Sequence, residues 1–383
     1  MKIPFSFLGS QFSETEVGAI WQKVRPVVLR GDFTLGRELE EFEQVYAEKA
    51  GTKYAIGVAS GTDALALPLI AMGIKGEVIV PAHTFFASAG AIVQAGATPV
   101  FCDVGDDMNM DPASIEAKIT PRTEAILPVM WGGRPCDMAA IYGIAKQHGL
   151  AVIGDCAQAL GSMWNDTPIG KCSMASAFSL HPLKMVNVWG DGGVICTGDE
   201  NLANKLKKLR NHGMSSRDSI ECWGYNSRLD NVQAVVGLHV LSSIDHRVTQ
   251  RRIFAQWLSD QLKDCPGITV IPEHERATNN YYLFAITCQD RDKLYAHLLK
   301  NGVDCRIHYP TPLHLQPAAQ RLGHSSLQPA YRLYQRGDFP KSEYIADHTI
   351  SLPCHEYLEF KHAVHIAKCV RDFYSDRANA RVA

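Results

Sequence analysis

The chain has 383 residues, of which 46% are hydrophobic and 20% charged, a composition typical of a folded globular protein with a large apolar core. Its formal net charge of -2 excludes the basic excess by which proteins bind nucleic acid or an anionic membrane surface. Eleven scattered cysteines, without a C-x-x-C pair or a Cys/His ligand spacing, favour free thiols in the cytoplasm over a disulfide framework or a metal site. The N-terminus lacks the apolar run of a secretory signal, and the most apolar window, 64–80, is interrupted by proline, glycine and charged residues, so no membrane span is predicted.

Two helices joined by a glycine-containing loop are predicted before residue 50. The residues from Ser13 to Glu16 open the first helix, and 36–49 form the second, with a mixed charged face. We interpret the sequence L-R-G-D-F-T-L-G between them as a plain connector.

Short apolar runs alternate with helix-length segments between residues 54 and 197. This alternation predicts an α/β fold with a mainly parallel, seven-stranded sheet that helices bury on both faces. Ligands of such sheets lie at the carboxyl ends of the strands, so the residues that follow each run are candidates for a functional site. The seven runs are 55–59, 78–80, 99–103, 125–130, 151–155, 175–180 and 194–197.

The C-terminal third is predicted to form a smaller unit. A polar turn at 224–233 opens a long helical stretch that reaches Leu262, and strands near 268–271 and 281–287 follow with a helix near 292–301. The segment from 312 to about 341 is expected to be a loop ordered over a site. We therefore predict a large domain with an N-terminal helical segment, 1–250, and a small α+β domain, 251–383.

Three strand ends carry groups that suit a ligand. After the first run, S-G-T-D at 60–63 turns into a helix whose first amides suit a phosphate, although a simple helix cap explains the same residues. Phe85 and Phe86 follow the second run and can form a wall for a flat ligand or pack in the core. Asp155 ends a buried strand, where a carboxylate needs a partner, whether structural or catalytic.

A lysine lies in the stretch S-A-F-S-L-H-P-L-K-M-V-N-V-W-G-D-G-G-V-I-C-T at 176–197. Lys184 occupies a polar turn, where a lysine is usually only solvated, and Ser179 lies five positions before it. Pyridoxal 5'-phosphate (PLP) requires all of these groups together. A lysine forms its Schiff base, a carboxylate faces its pyridine nitrogen, an aromatic ring stacks on it, and helix amides with a serine hold its phosphate.

On these residues the chain resembles the DegT-type sugar aminotransferases, fold-type I PLP enzymes that aminate keto sugars, usually as sugar nucleotides. The resemblance extends from G-x-F-T-x-G near residue 33 to I-S-L-P-C-H-E near residue 355. Six motifs carry it in order: S-G-T-D-A-L, P-A-H-T-F-F-A-S, D-C-A-Q-A-L-G, S-x(4)-K with G-D-G-G, G-Y-N-S-R-L-D-N-V-Q-A, and H-Y-P-T-P-L-H-L-Q.

The resemblance implies a role for each matching residue. Lys184 would be the Schiff-base lysine and proton carrier, and Asp155 would pair with the pyridine nitrogen, which makes these two the expected catalytic residues. The further cofactor contacts would be Gly61, Thr62, Asp63, Phe85, Gln158, Ser179 and, from the neighbouring subunit, Asn226. The expected substrate-binding residues are His181, Arg228, His308 and Tyr309.

The resemblance also implies the reaction, an EC 2.6.1-type transfer of an amino group from L-glutamate to a keto sugar by a homodimer with shared active sites. G-Y-N-S-R-L-D with G-D-G-G resembles relatives that act at carbon 3 of dTDP-linked 6-deoxy sugars, and carbon 4 is the alternative. The intact Lys184 argues against a sugar 3-dehydratase, and the alternative from another class is a PLP-binding regulatory protein without turnover. Four residues depart from the family pattern and bear on the fit of the sugar: Met130, Trp131, His181 and Met185.

Overall fold

The computed structural model describes residues 1–322 and 332–382, with side chains described through residue 375. Its strands are β1 (Tyr54–Val58), β2 (Glu77–Pro81), β3 (Thr98–Cys102), β4 (Thr123–Ile126), β5 (Ala151–Asp155), β6 (Met163–Trp164), β7 (Thr167–Pro168), β8 (Ala175–Ser179), β9 (Gly193–Thr197), β10 (Met214–Ser216), β11 (Ser219–Ile220), β12 (Ile268–Val270), β13 (Ala277–Thr278), β14 (Phe284–Cys288) and β15 (Thr349–Leu352). Its α-helices are α1 (Glu14–Arg30), α2 (Arg37–Ala50), α3 (Gly61–Met72), α4 (Phe86–Gln94), α5 (Pro112–Glu116), α6 (Met138–His148), α7 (Glu200–Leu209), α8 (Asn231–Leu241), α9 (Ile244–Leu262), α10 (Arg291–Lys300), α11 (Pro317–Leu322), α12 (Pro340–His348) and α13 (Phe360–Val382).

A seven-stranded sheet in the order β1-β9-β8-β5-β4-β2-β3 forms the centre of the large unit. Neighbouring strands from β8 to β3 pair in parallel, whereas β9 pairs antiparallel with both β1 and β8. Each of the seven predicted apolar runs overlaps one of these strands. The predicted mainly parallel, seven-stranded sheet is therefore confirmed.

Helices cover both faces of this sheet, as predicted, because consecutive strand residues point to opposite sides. Ile79 of β2 belongs to an apolar cluster that includes residues of α1, α2, α6 and α8. Its neighbours Val78 and Val80 belong to a second cluster, with residues of α3, α4 and α7. The strands are buried on both sides, so polar groups can meet ligands only at their ends.

The helical stretch predicted towards Leu262 is two helices, because α8 ends at Leu241 and α9 begins at Ile244. Two serines lie at the break. The Oγ of Ser242 donates to the carbonyl oxygen of His239 at 2.7 Å, and the Oγ of Ser243 donates to that of Val240 at 3.2 Å. Serine hydroxyls that bond to nearby backbone groups compete with the helix ladder, which accounts for the interruption.

A third apolar cluster forms the centre of the small C-terminal unit, where the antiparallel sheet β12-β14-β15 packs with α9, α10 and α13. Ile3 is fully buried in this cluster and pairs with Val303. Helix α9 crosses the predicted domain boundary at residue 250 and contributes Phe254 and Leu258 to the same cluster. The division into 1–250 and 251–383 stays a prediction.

Within residues 1–322 and 332–382, no helix has the length and apolar character needed to cross a bilayer.

All eleven cysteines carry free thiols, and ten of them are buried, where they pack as small apolar side chains. Of the loop predicted over 312–341, residues 323–331 lie outside the described residues. Its described parts include α11 and the first residues of α12.

Candidate active site

The turn after β1 and the end of β8 touch each other. A Cβ added to Gly61 would lie 2.7 Å from the Cβ of Ser179, so these two residues are in close contact across the sheet. A Cβ on Gly193 of β9 would clash with the carbonyl oxygen of Ser60 and lie 2.9 Å from the Gly61 nitrogen. Glycine is required at both positions, because the Ser179 side chain leaves no room for a Cβ at residue 61 and the Ser60 backbone leaves none at residue 193.

The first turn of α3 is held by an N-cap and by a distant serine. The Oγ of Ser60 accepts a hydrogen bond from the Asp63 amide at 3.1 Å. The Oγ of Ser227 donates to Oδ2 of Asp63 at 2.7 Å and accepts from the Ala59 amide at 3.1 Å. The Asp63 amide is therefore occupied as a capping donor, and its carboxylate fixes the turn to the segment before α8.

Two amides at this helix start remain free. In the part of the chain that the structure describes, the N–H groups of Gly61 and Thr62 donate to no acceptor, and the Ser179 side chain lies against Gly61. Among the described residues, the Ser179 Oγ accepts only a long hydrogen bond, 3.3 Å, from the His181 amide. Free amides at the positive end of a helix, next to a hydroxyl, fit the phosphate of PLP.

Asp155 lies at the carboxyl end of β5 and is 6% exposed. Its Oδ2 accepts a hydrogen bond from Ser88 Oγ at 2.7 Å and its Oδ1 from the Ala157 amide at 3.1 Å. Burial raises the pKa of this carboxyl, while the two donors and the charge of Lys184 act in the opposite direction. A buried carboxylate of this kind is stabilised by a cationic ligand atom, so the site fits a protonated pyridine nitrogen.

Gln158 joins the loop after β5 to the small unit. Its Oε1 accepts from the Gly132 amide at 2.7 Å, and its Nε2 donates to the Tyr309 hydroxyl at 3.3 Å. The Tyr309 ring lies 5.8 Å from the ring of Phe85, which is 41% exposed. The exposed area of Phe85 leaves it able to stack on a flat ligand.

Lys184 is half-buried in the turn after β8. Its amide donates to the His181 carbonyl at 2.8 Å, which shapes the turn. Its Nζ lies 4.8 Å from the centre of the Tyr282 ring and, among the described residues, forms no hydrogen bond and no salt bridge. The amine is therefore held against an aromatic ring with its nitrogen available to a ligand.

The four predicted substrate residues are placed differently. His308 is close enough to Lys184 for the cation to influence it, and burial together with Lys184 lowers the pKa of His308 to about 4. Its Nδ1 is 2.9 Å from Ser351 Oγ. Arg228 donates to Asn211 Oδ1 at 2.9 Å, and His181 and the cofactor candidate Asn226 are exposed. In the described chain, no hydrogen bond connects these last three side chains to Lys184 or Asp155.

Three residues of the site are absent from the sequence-based set: Ser88, His83 and Tyr282. His83 is 1% exposed, its Nε2 contacts the His308 carbonyl at 3.2 Å, and burial lowers its pKa to about 4. Its position two residues before Phe85, in P-A-H-T-F-F, is a signal that could have found it. Ser88 faces the site because of its position around the axis of α4, and Tyr282 reaches the site because the large and small units pack together. Neither relation can be read from the sequence.

The matching family model, described as the DegT/DnrJ/EryC1/StrS aminotransferase family, covers residues 15–371. The erythromycin biosynthesis sensory transduction protein EryC1 of Saccharopolyspora erythraea is 40% identical over 369 residues, 96% of this chain and 98% of that protein. The dTDP-3-amino-3,4,6-trideoxy-alpha-D-glucose transaminase of Streptomyces venezuelae is 38% identical over 97% of this chain and 96% of that protein. The solved structure of S. venezuelae DesV in complex with a ketimine intermediate is 37% identical, with a TM-score of 0.91 over 97% of this chain and 98% of that chain. This likeness confirms the predicted fold-type I class.

Proposed function

The chain belongs to the DegT/DnrJ/EryC1/StrS aminotransferase family and is a PLP-dependent sugar aminotransferase, and from this premise we propose its substrates and its residue roles. We propose that it transfers the amino group of L-glutamate to the keto group at carbon 3 of a dTDP-linked 6-deoxyhexose. The observation that carries the proposal is the juxtaposition of Lys184, a buried Asp155 and the free amides at the start of α3. The name of the S. venezuelae transaminase, which specifies a dTDP-3-amino sugar, supports the carbon and the nucleotide.

The cofactor would be held at its two ends by separate elements. The amides of Gly61 and Thr62 and the hydroxyl of Ser179 would bind its phosphate, with Asp63 maintaining the turn. Asp155 would face the pyridine nitrogen and keep it protonated. Bound PLP supplies an electron sink for negative charge that develops on the substrate carbon next to nitrogen.

The ring would be fixed between these ends by Phe85 and Gln158. Phe85 would stack on the pyridine face, and Gln158, already oriented by the Gly132 amide, would hydrogen-bond the phenolic oxygen. Tyr309 lies next to both side chains and would contact the sugar together with His308. His181 and Arg228 are the further residues that we propose for the sugar nucleotide.

Lys184 would hold and move the proton at the substrate carbon in both halves of the reaction. A lysine must be uncharged to accept a proton. The amine of Lys184 is close enough to Asp155 for its charge to act on that carboxyl. Burial lowers the pKa values of His83 and His308 to about 4, so neither imidazole competes with Lys184 as a proton carrier at neutral pH.

We further propose a cytoplasmic homodimer in which Asn226 of each subunit completes the phosphate site of the other. The Asn226 side chain is exposed and makes no hydrogen bond within the described part of its own chain. Trp223, three residues earlier, is 91% exposed, and Tyr225 is also exposed. An exposed aromatic pair of this kind is typical of a protein interface.

A substrate screen tests the proposed function. The purified protein, loaded with PLP, is incubated with L-glutamate and a panel of 3-keto and 4-keto sugar nucleotides, and 2-oxoglutarate and the aminated sugar are measured. We expect product with 3-keto substrates. Product with 4-keto substrates alone would show that the enzyme acts at carbon 4 and not at carbon 3. In Lys184→Ala and the charge-retaining Lys184→Arg, we expect no turnover. Turnover in Lys184→Ala would contradict the role of the lysine.

A regulatory role is the second candidate, because EryC1 of S. erythraea is named a sensory transduction protein. A regulator without turnover would bind PLP yet leave L-glutamate unconverted with every sugar nucleotide of the panel. Formation of 2-oxoglutarate by the wild-type protein and not by Lys184→Ala excludes this alternative.

A further inference from the structure

The loop that carries Lys184, residues 180–192, joins β8 to β9 and has few backbone hydrogen bonds of its own. The Leu180 amide donates to the Gly192 carbonyl at 2.8 Å, which closes the loop at its base. In the part of the chain that the structure describes, no amide of residues 185–191 donates to a backbone carbonyl. The position of Lys184 therefore depends on the contacts that the side chains of this loop make.

The four side chains that follow the lysine are all buried, with exposed fractions of 1–3%: Met185, Val186, Asn187 and Val188. The three apolar ones pack in the cluster to which α1, α2, α6 and α8 contribute. Asn187 is the polar one, and its Nδ2 donates to Oε1 of Gln11 at 2.8 Å. Gln11 is itself only 3% exposed. A hydrogen bond between two buried amides is costly to lose, because each partner would be left unsatisfied.

The N-terminal segment that supplies Gln11 is fixed by the rest of the chain. The Gln11 carbonyl accepts a hydrogen bond from the Tyr357 hydroxyl at 3.3 Å. Tyr357 in turn stacks on Phe7, with 6.1 Å between the ring centres. Phe12, the residue after Gln11, packs against the same apolar cluster as the loop. The segment before α1 is therefore a firm support for the loop.

Trp189 gives the loop a second contact with the N-terminal part of the chain. Its φ is 57°, a left-handed conformation that a bulky side chain adopts only where its surroundings stabilise it. The ring of Phe12 meets it edge-on at 5.7 Å between ring centres, and Trp21 of α1 lies 5.8 Å away. The residues before and within α1 thus contact the loop at two places, Asn187 and Trp189.

We propose that Gln11 and Asn187 are positioning residues that hold the Lys184 amine in its reactive place. This assignment rests on the proposed role of Lys184. Asn187 is three residues from the lysine, a span of at most about 10 Å, and the two packed residues between them leave little freedom to absorb a shift. Displacement of a reacting group by about 1 Å can cost roughly a hundredfold in rate. The two amides bond to each other and not to Lys184, so neither is a catalytic residue.

The reaction of Lys184 with the cofactor tests this assignment without amino transfer. After PLP is removed and added back, the lysine amine condenses with its aldehyde and releases one water, and absorbance follows the rate. We expect condensation to be roughly tenfold slower in Asn187→Ala. Thr197→Val is the matched control. It removes a buried hydrogen bond of 2.7 Å to the Met174 carbonyl at the other end of β9, and its rate should stay within about twofold of wild type. Equal rates in Asn187→Ala and wild type would overturn the proposal.

Gln11→Ala breaks the same bond from its other side, and it serves as the test where Asn187→Ala fails to fold. In each folded single variant, we expect the maximal rate of the L-glutamate half-reaction to fall roughly tenfold while the KM for L-glutamate stays within about twofold. The double variant should be no more than about twofold slower than either single variant, because the two residues act as a unit. Losses that multiply in the double variant would show two independent effects and overturn the proposal.

Lys184→Ala in the condensation assay separates this proposal from the proposed function. Normal condensation in Lys184→Ala would remove the role of the lysine and the positioning role with it. Loss in Lys184→Ala with wild-type rates in Asn187→Ala and Gln11→Ala would overturn the positioning role and keep the function. Slow condensation in both alanine variants, with no amino transfer by wild type to any sugar nucleotide, would keep the positioning role and remove the proposed substrate.

Discussion

At the scale of single residues, Asp155 shows how the surroundings of a side chain decide its chemistry. Burial favours the protonated carboxyl, whereas the Ser88 hydroxyl, the Ala157 amide and Lys184 favour the carboxylate. Ser88 has a single hydroxyl proton and donates it to Asp155, so the contact of 3.1 Å with Thr84 must be a donation from Thr84. The three side chains form a short chain of hydrogen bonds that ends on the carboxylate.

We predict that Ser88→Ala shifts the pH dependence of the enzyme. The hydrogen bond from Ser88 lowers the pKa of Asp155, so its loss raises that pKa, and the carboxylate becomes protonated at a higher pH. Under the proposed role of Asp155, the ionised carboxylate is the active form. The acidic limb of kcat/KM is then expected to move to higher pH, by about one pH unit for a hydrogen bond to a charged group. Thr84→Val is the control and should move the limb less, since Thr84 reaches Asp155 only through Ser88. An acidic limb that stays in place in Ser88→Ala would contradict this role.

The residues that could be predicted from sequence are those whose position in the chain is itself informative. Asp155 and Ser179 are the last residues of β5 and β8, and Lys184 lies in the turn after β8, so all three are close to the carboxyl end of an apolar run. Ser88 and Tyr282 reach the site through the phase of a helix and the packing of the small unit. Neither relation is encoded in the local pattern, so only the folded chain reveals them.

At the scale of elements, the apolar runs predicted every strand of the main sheet and did not predict the direction of β9. A buried strand is apolar on both faces whichever way it runs, so its composition indicates burial and not orientation. The Ser60-Gly61 turn and β9 meet only because Gly193 has no side chain. The last glycine of the G-D-G-G motif therefore allows β9 to pack against the turn that we propose for the cofactor phosphate.

We predict that Gly193→Ala destabilises the fold and weakens PLP binding. The added methyl group would meet the backbone of Ser60, which cannot move without shifting the start of α3. Overpacking of this kind typically costs about 1–3 kcal/mol. Gly198→Ala, just beyond β9, is the control because no atom lies within 4 Å of its added Cβ. Thermal unfolding and PLP titration of both variants check the prediction, and equal behaviour of the two would refute it.

The attachment of α2 to β1 depends on a buried ion pair. Glu43 accepts hydrogen bonds from the Gly57 amide at 2.7 Å and from Arg210, and Arg210 also donates to the Gly57 carbonyl at 2.9 Å. Both charged side chains are buried. The pair thus connects α2 and the C-terminal end of α7 to Gly57 of β1.

We predict that Glu43→Ala lowers the free energy of unfolding by roughly 3–5 kcal/mol, because it leaves the Arg210 charge buried without its partner. Glu41→Ala, an exposed position on the same helix, should change it by no more than about 0.5 kcal/mol. Urea unfolding at pH 7 measures both. A Glu43→Ala protein as stable as Glu41→Ala would show that the pair contributes nothing.

At the scale of the whole molecule, the large unit and the small C-terminal unit are connected at several places. The predicted domain division assumes a single connection near residue 250. The first residues of the chain pair with the C-terminal unit, since the Ile3 amide donates to the Gly302 carbonyl at 2.8 Å. Helix α9 belongs to both units. Such long-range pairings leave no trace in hydrophobic periodicity, which is why this connection could not be predicted from the sequence.

The proposed sharing of active sites between subunits makes a prediction about mixtures of inactive variants. If Lys184 of one subunit works with Asn226 of the other, a heterodimer of Lys184→Ala and Asn226→Asp contains one site with both residues intact and one with neither. Each homodimer is expected to lose most activity, Asn226→Asp because a carboxylate repels the cofactor phosphate. Unfolding and refolding the two variants together should then restore about a quarter of wild-type activity, since half of the randomly formed dimers carry one intact site.

The same mixture distinguishes a site built within one subunit. There, each subunit of the heterodimer would still lack either Lys184 or Asn226, and mixing would restore no activity. Refolding each variant alone is the control for the procedure, and size-exclusion chromatography with light scattering establishes that the refolded species is dimeric. Recovery that depends on mixing therefore requires Asn226 to cross the interface, because no arrangement within a subunit can bring the two intact residues together.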